Sequence, residues 1–113
     1  MNANVIARKL ETLQRKGAMK LVDISNVLGI RPETVSRWNQ GKAFPQPDLE
    51  RTLLDLEYVV DQLADFYQPD EARLWLFSRQ KLLDGERPAE LIQRGRAEDV
   101  IKVIRQLLDG VHL

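Results

Sequence analysis

The chain has 113 residues, 43% of them hydrophobic and 30% charged, the make-up of one ordinary soluble globular domain or of two small ones sharing a core. It has no cysteine, which excludes disulfides, a thiolate metal site and a cysteine nucleophile. No apolar run resembles a secretory signal or approaches the roughly 18 residues of a membrane span, so a cytoplasmic protein without a membrane partner is expected. Net charge is zero but unevenly spread. Residues 1–47 hold eight Lys/Arg against three Asp/Glu, net +5, and residues 48–113 hold nine against fourteen, net −5. A basic first third suits a polyanion partner, and an acidic remainder suits a different task.

Apolar residues recur at helical spacing almost throughout, with no alternating run of strand length and no Asn-Gly or Asp-Gly hairpin, so an all-α fold is predicted. The first helix spans 3–16, with Val5, Ile6, Leu10 and Leu13 on one face and Gly17 as its stop. A short helix over 20–28 turns Leu21, Ile24, Val27 and Leu28 inward, and Gly29-Ile30-Arg31 forms a turn. Pro32 opens a third helix that runs to Gly41, and Pro45 and Pro47 break the chain again. A long helix from Asp48 to Tyr67 carries an apolar stripe from Leu49 to Phe66-Tyr67 and an acidic opposite face. Pro69 begins a fifth helix ending near Trp75-Leu76-Phe77, Leu82-Leu83 and Gly85 make a hydrophobic connector, and Pro88 starts a sixth helix stopped at Gly95. The last helix runs from Ala97 to Asp109, ends at Gly110, and leaves Val111-His112-Leu113 as a tail.

The segment Leu21–Gly41 meets the demands of a helix-turn-helix. Gly29 supplies a turn that needs positive φ, Ser25 is the small residue where the helices cross, and Ile24, Leu28, Ile30, Val35 and Trp38 are apolar pins. With Val35 and Trp38 buried, helical geometry sends Glu33, Ser36, Arg37 and Gln40 outward, with Arg31 and Pro32 at the exposed N-terminal end. Arg37 suits guanine O6 and N7, while Thr34, Ser36, Gln40 and Lys42 suit base or phosphate contacts. The alternative is a helical corner that merely packs. The run Thr34-Val35-Ser36-Arg37-Trp38, followed by Gly41 and Pro45, resembles the reading helix of Xre/Cro-like repressors. That resemblance covers residues 1–47 and implies a dimeric reader of operator DNA.

A minimal reader has no need of residues 48–113. There, Trp75-Leu76 precedes Leu83-x-Gly85-x-x-Pro88-x-x-Leu91, then Gly95, an amphipathic helix and Gly110. That order resembles the toxin-binding domain of Xre/MbcA/ParS-type antitoxins, with Arg79-Gln80 standing where Pro-Asn is more usual. The resemblance implies a homodimer through the C-terminal domain and a RES-domain toxin partner that attacks NAD and is blocked at its active-site entrance. Trp75, Arg79, Gly110, Val111, His112 and Leu113 are the expected toxin-contacting residues. Trp75 and the leucines read equally as core, and the tail as frayed chain.

An enzyme is not expected. The single histidine, His112, is penultimate, and no nucleophile–base set can be built around it. Asp61 and Asp65 lie on one helical face like ordinary solvated carboxylates, no glycine-rich phosphate loop exists, and no cluster has metal-ligand spacing. No cofactor and no small-molecule substrate are expected. The reading is an all-α antitoxin with a DNA-binding part (1–47) and a dimerisation and toxin-binding part (48–113). Its rivals are a stand-alone Xre-family repressor and an adaptor that has lost DNA binding.

Overall fold

The computed structural model describes residues 3–111 of the backbone and side chains from 5 to 110. Among them are seven α-helices: α1 (Ala3–Gly17), α2 (Leu21–Leu28), α3 (Pro32–Asn39), α4 (Pro47–Leu63), α5 (Pro69–Phe77), α6 (Pro88–Gln93) and α7 (Ala97–Val111). A 3-10 turn, Lys81–Leu83, lies between α5 and α6. The all-α prediction holds.

Prolines punctuate the chain as their chemistry requires. Pro32, Pro47, Pro69 and Pro88 each open a helix, where the missing N–H is no loss and φ is already set. Glycines close them. After α2, Gly29 takes φ 71° and the Ile30 N–H bonds the Ser25 carbonyl at 3.0 Å. After α3, Gly41 takes φ 73° and the Lys42 N–H bonds the Arg37 carbonyl at 2.9 Å. Both are six-residue closures that use up otherwise orphaned helix carbonyls.

Four boundaries differ from the sequence reading. Gly17 is the last residue of α1 and not its turn; Ala18 adopts the left-handed φ of 49°. Gly17 is small for packing, since a Cβ there would meet Val60 Cγ1 at 3.3 Å. α3 stops at Asn39, short of Gly41. α4 ends at Leu63; Phe66 and Tyr67 leave the helix and pack their rings together at 4.5 Å. α7 runs through Gly110, which is exposed with open space around it, so that glycine ends nothing. Periodicity also passed over a backbone pairing. Gln80 and Glu86 form an isolated antiparallel bridge around Asp84-Gly85.

One buried cluster runs through the molecule, from Ile6, Leu10 and Leu13 of α1 through Ile24, Val35 and Trp38 to Leu53–Leu63, Leu76, Leu91, Ile92 and Val100–Ile104. The acidic face of α4 lies against α1. Lys9 pairs with Glu57 at 2.9 Å and Lys16 with Asp61 at 2.8 Å. Two of the eight bases of the first third are thereby neutralised within the fold, and Asp61 is an ion-pair partner where a solvated carboxylate was expected.

Candidate functional site

Two surfaces carry the residues singled out from sequence. The first is the corner of α2 and α3. Its pins behave as predicted: Ile24 and Val35 are fully buried, Leu28 and Trp38 nearly so, and Ile30 packs half-buried against them. Ser25 is fully buried, and its Oγ–H donates to the Val22 carbonyl at 2.7 Å, so the hydroxyl costs nothing at the crossing. Opposite the pins, Arg31, Glu33, Arg37, Gln40 and Lys42 are exposed, and Thr34 and Ser36 are half-exposed. Gln40 Nε2 reaches Ser36 Oγ at 3.4 Å. Arg31, Arg37 and Lys42 form no ion pair among the described residues and stand available to an anion. The residues singled out from sequence therefore lie together in solvent, opposite the buried pins.

The second surface is the corner of α5 and α6. The Leu83-x-Gly85-x-x-Pro88-x-x-Leu91 pattern is its scaffold. Leu83, Pro88 and Leu91 are buried, and Gly85 turns at φ 82°. Gln80 donates through Nε2 to the Trp75 carbonyl at 3.0 Å, closing the end of α5. Arg79 is exposed, but its Nη1 donates to the Gly85 carbonyl at 3.0 Å and ties the loop to itself. Trp75 sits in the core at 8% exposure. Only its edge lines a hollow of about 300 Å³ shared with Tyr67, Glu71, Leu74, Ser78 and Gln80. Gly110 is exposed on the last turn of α7. The side chain of Val111 and all of His112 and Leu113 lie outside the described residues.

Sequence reasoning missed the two most exposed large apolar side chains, Leu74 (69%) and Leu82 (60%). Leu74 was detectable, because the buried stripe of α5 is Ala72, Trp75 and Leu76, and Leu74 falls off it. Leu82 was not, since two adjacent leucines in a connector have no period to tell the inner from the outer.

A clamp joins the two surfaces. Arg73 of α5 donates through Nη2 and Nε to the two carboxylate oxygens of Asp23 in α2, at 3.0 and 3.3 Å. Asp23 also accepts the Lys20 N–H at 2.9 Å, capping the start of α2. Burial pushes the Asp23 pKa up, but Arg73 and the Lys20 amide outweigh it and leave the carboxyl below its ordinary value. Nearby, Gly29 faces the Gln93 amide of α6 so closely that a Cβ would lie 2.5 Å from Nε2. No group of three or more His, Cys, Asp or Glu is placed to hold a metal among the described residues, and no helix is long and apolar enough to cross a membrane.

No protein-family model matches the chain. Mycobacterial cidal antitoxin MbcA of Mycobacterium bovis is 30% identical over 111 residues, covering 98% of this chain and 98% of its own length, and MbcA of Mycobacterium tuberculosis gives the same figures. A chain in the crystal structure of the M. tuberculosis MbcT–MbcA toxin–antitoxin complex superposes with a TM-score of 0.83 at 29% identity, over 95% of this chain and 96% of that one. Fold and kinship define a small all-helical antitoxin of a toxin–antitoxin system, and not an enzyme. The chain belongs to the family of the mycobacterial cidal antitoxin MbcA.

Proposed function

We propose that the chain neutralises a RES-domain, NAD-consuming toxin by covering its active-site entrance, and represses its own operon by binding operator DNA as a homodimer. The observation that carries the toxin half is the match to MbcA over nearly the whole chain, together with the match to a chain of a toxin–antitoxin complex. The RES identity and the blocking mode rest on the family resemblance of the Trp75–Gly110 segment. The α5–α6 corner supports the assignment physically, since Leu74, 69% exposed, lines a hollow with Tyr67 and Trp75, and an exposed apolar surface of that kind suits a partner interface. Residues 48–113 are the toxin-binding and dimerising part. Leu54 and Tyr58, one helical turn apart and exposed on α4, supply an apolar strip for the dimer.

The DNA half rests on the α2–α3 corner. It acts as a helix-turn-helix, with α3 in the major groove, Arg31, Glu33 and Arg37 at base edges, and Thr34, Ser36, Gln40 and Lys42 on bases or phosphates. Co-expression with the product of the neighbouring gene tests the whole reading. Growth rescue and a co-purifying complex are the expected results, and deletion of Val111–Leu113 should abolish rescue while leaving DNA binding intact. A chain that neither rescues nor binds its neighbour's product fails as an antidote for it. Undiminished rescue by the truncated chain would move the blocking contact away from the tail.

A further inference from the structure

The outward face of α3 is not uniformly polar. Where its first turn meets the start of α2 there is an open hollow of about 430 Å³ lined by Leu21, Pro32, Glu33, Ser36 and Arg37. Its lining is chiefly apolar, and Leu21 and Pro32 are the residues in it with wholly carbon side chains. Pro32 is exposed and Leu21 only half-buried, so this apolar surface is left open at the helix end that a reader would push deepest into the groove.

We propose that this hollow takes the 5-methyl group of a thymine beside the guanine that Arg37 contacts, making Leu21 and Pro32 specificity-determining residues. The inference rests on the DNA-binding reading above and deepens it. Charge complementarity brings DNA to the face, because Arg37 lines the hollow, Arg31 precedes Pro32 and Lys42 is exposed past the end of α3, none with an ion-pair partner among the described residues. The carboxylate of Glu33 on the rim argues that the occupant is a base edge and not the phosphate backbone. A carboxylate repels phosphate but accepts from the cytosine amino group. Among base edges in the major groove, thymine alone presents an apolar group, and its methyl is what a carbon-lined hollow can desolvate. The worth of one buried methyl, about 0.8 kcal/mol, corresponds to about fourfold in affinity.

The test uses the full chain to select tight duplexes from a random-sequence pool of double-stranded DNA. The selected duplex is then remade with deoxyuridine replacing one thymidine at a time, which removes only the methyl. One position per half-site should weaken binding about fourfold, and Leu21→Ala or Pro32→Ala should shrink that ratio toward one while still binding the duplex. Binding that is indifferent to every methyl overturns the proposal and leaves the DNA reading standing, as does a methyl effect unchanged in both variants. A chain that selects no duplex overturns both. The deoxyuridine series needs no variant, so it decides even if Leu21→Ala folds poorly.

Discussion

The corner of α2 and α3 and the corner of α5 and α6 are written with the same four-residue phrase. Gly29-Ile30-Arg31-Pro32 enters α3 and Gly85-Glu86-Arg87-Pro88 enters α6. In both, a glycine at positive φ makes the bend, an extended arginine precedes the helix, and proline opens it. The faces they expose differ. The first corner presents Arg31, Glu33, Arg37, Gln40 and Lys42, and the second is flanked by Leu74 and Leu82. Local backbone chemistry therefore says how the chain bends, while the side chains it leaves in solvent separate a surface fit for an anion from one fit for an apolar partner.

The comparison can be broken at its root by Trp38→Ala. Trp38 is 2% exposed within the one cluster that both corners share, so its loss should cost about 3–5 kcal/mol in denaturant unfolding. It should also impair both surfaces together. Loss of one with the other intact would mean two separately folded halves. Next in size is Asp23→Ala, which removes the clamp and the α2 cap and should cost about 2 kcal/mol. Asp23 is held below its ordinary value of 3.8 when folded. Its stabilisation is therefore present above pH 3.8 and lost as pH falls through the lower folded value. Urea titrations of the variant and parent should converge in that acid range.

Arg37→Ala sharpens the contrast by sparing one surface. Operator affinity should fall about fivefold, the low end of a lost bidentate base contact, and toxin rescue should stay whole. Electrophoretic mobility shift and growth assays read the two separately. Asp55→Asn is the smallest. Burial raises the Asp55 pKa above 3.8; Arg51 opposes the rise and Glu98 adds a smaller push in the same direction as burial. A charge is thus held at neutral pH where the fold disfavours it. The variant should be slightly more stable at pH 7, because burial no longer opposes a charge there. Because a raised folded value means the charge stops opposing folding once it is protonated, the gain should vanish as pH falls through that value towards 3.8.

The first corner was legible because every demand on it is local. Gly29, Ser25, Val35 and Trp38 stand at fixed helical offsets, and burying two of them dictates which neighbours face out. The second was legible only as a scaffold. Leu83, Gly85, Pro88 and Leu91 mark a bend and a core, whereas the exposure of Leu82 depends on how the 3-10 turn Lys81–Leu83 meets α7, which no offset encodes. Partners distant in sequence were invisible for the same reason. Nothing near Asp23 announces Arg73 fifty positions on, and nothing near Lys9 or Lys16 announces that α4 neutralises them. Gly17 shows the converse error: a glycine after a helix reads as a turn, but here it makes room for Val60 while Ala18 turns.

The shared core has a consequence for how long the protein acts. A protease that pulls on either end meets no seam at which to stop, because Ile6 and Ile104 belong to one buried cluster and a small single-core protein unravels as a unit. Under the proposed function, antidote and repressor would have a common lifetime. One act of degradation would free the toxin and lift repression of the gene that replaces the antidote, so resupply begins at the moment of loss.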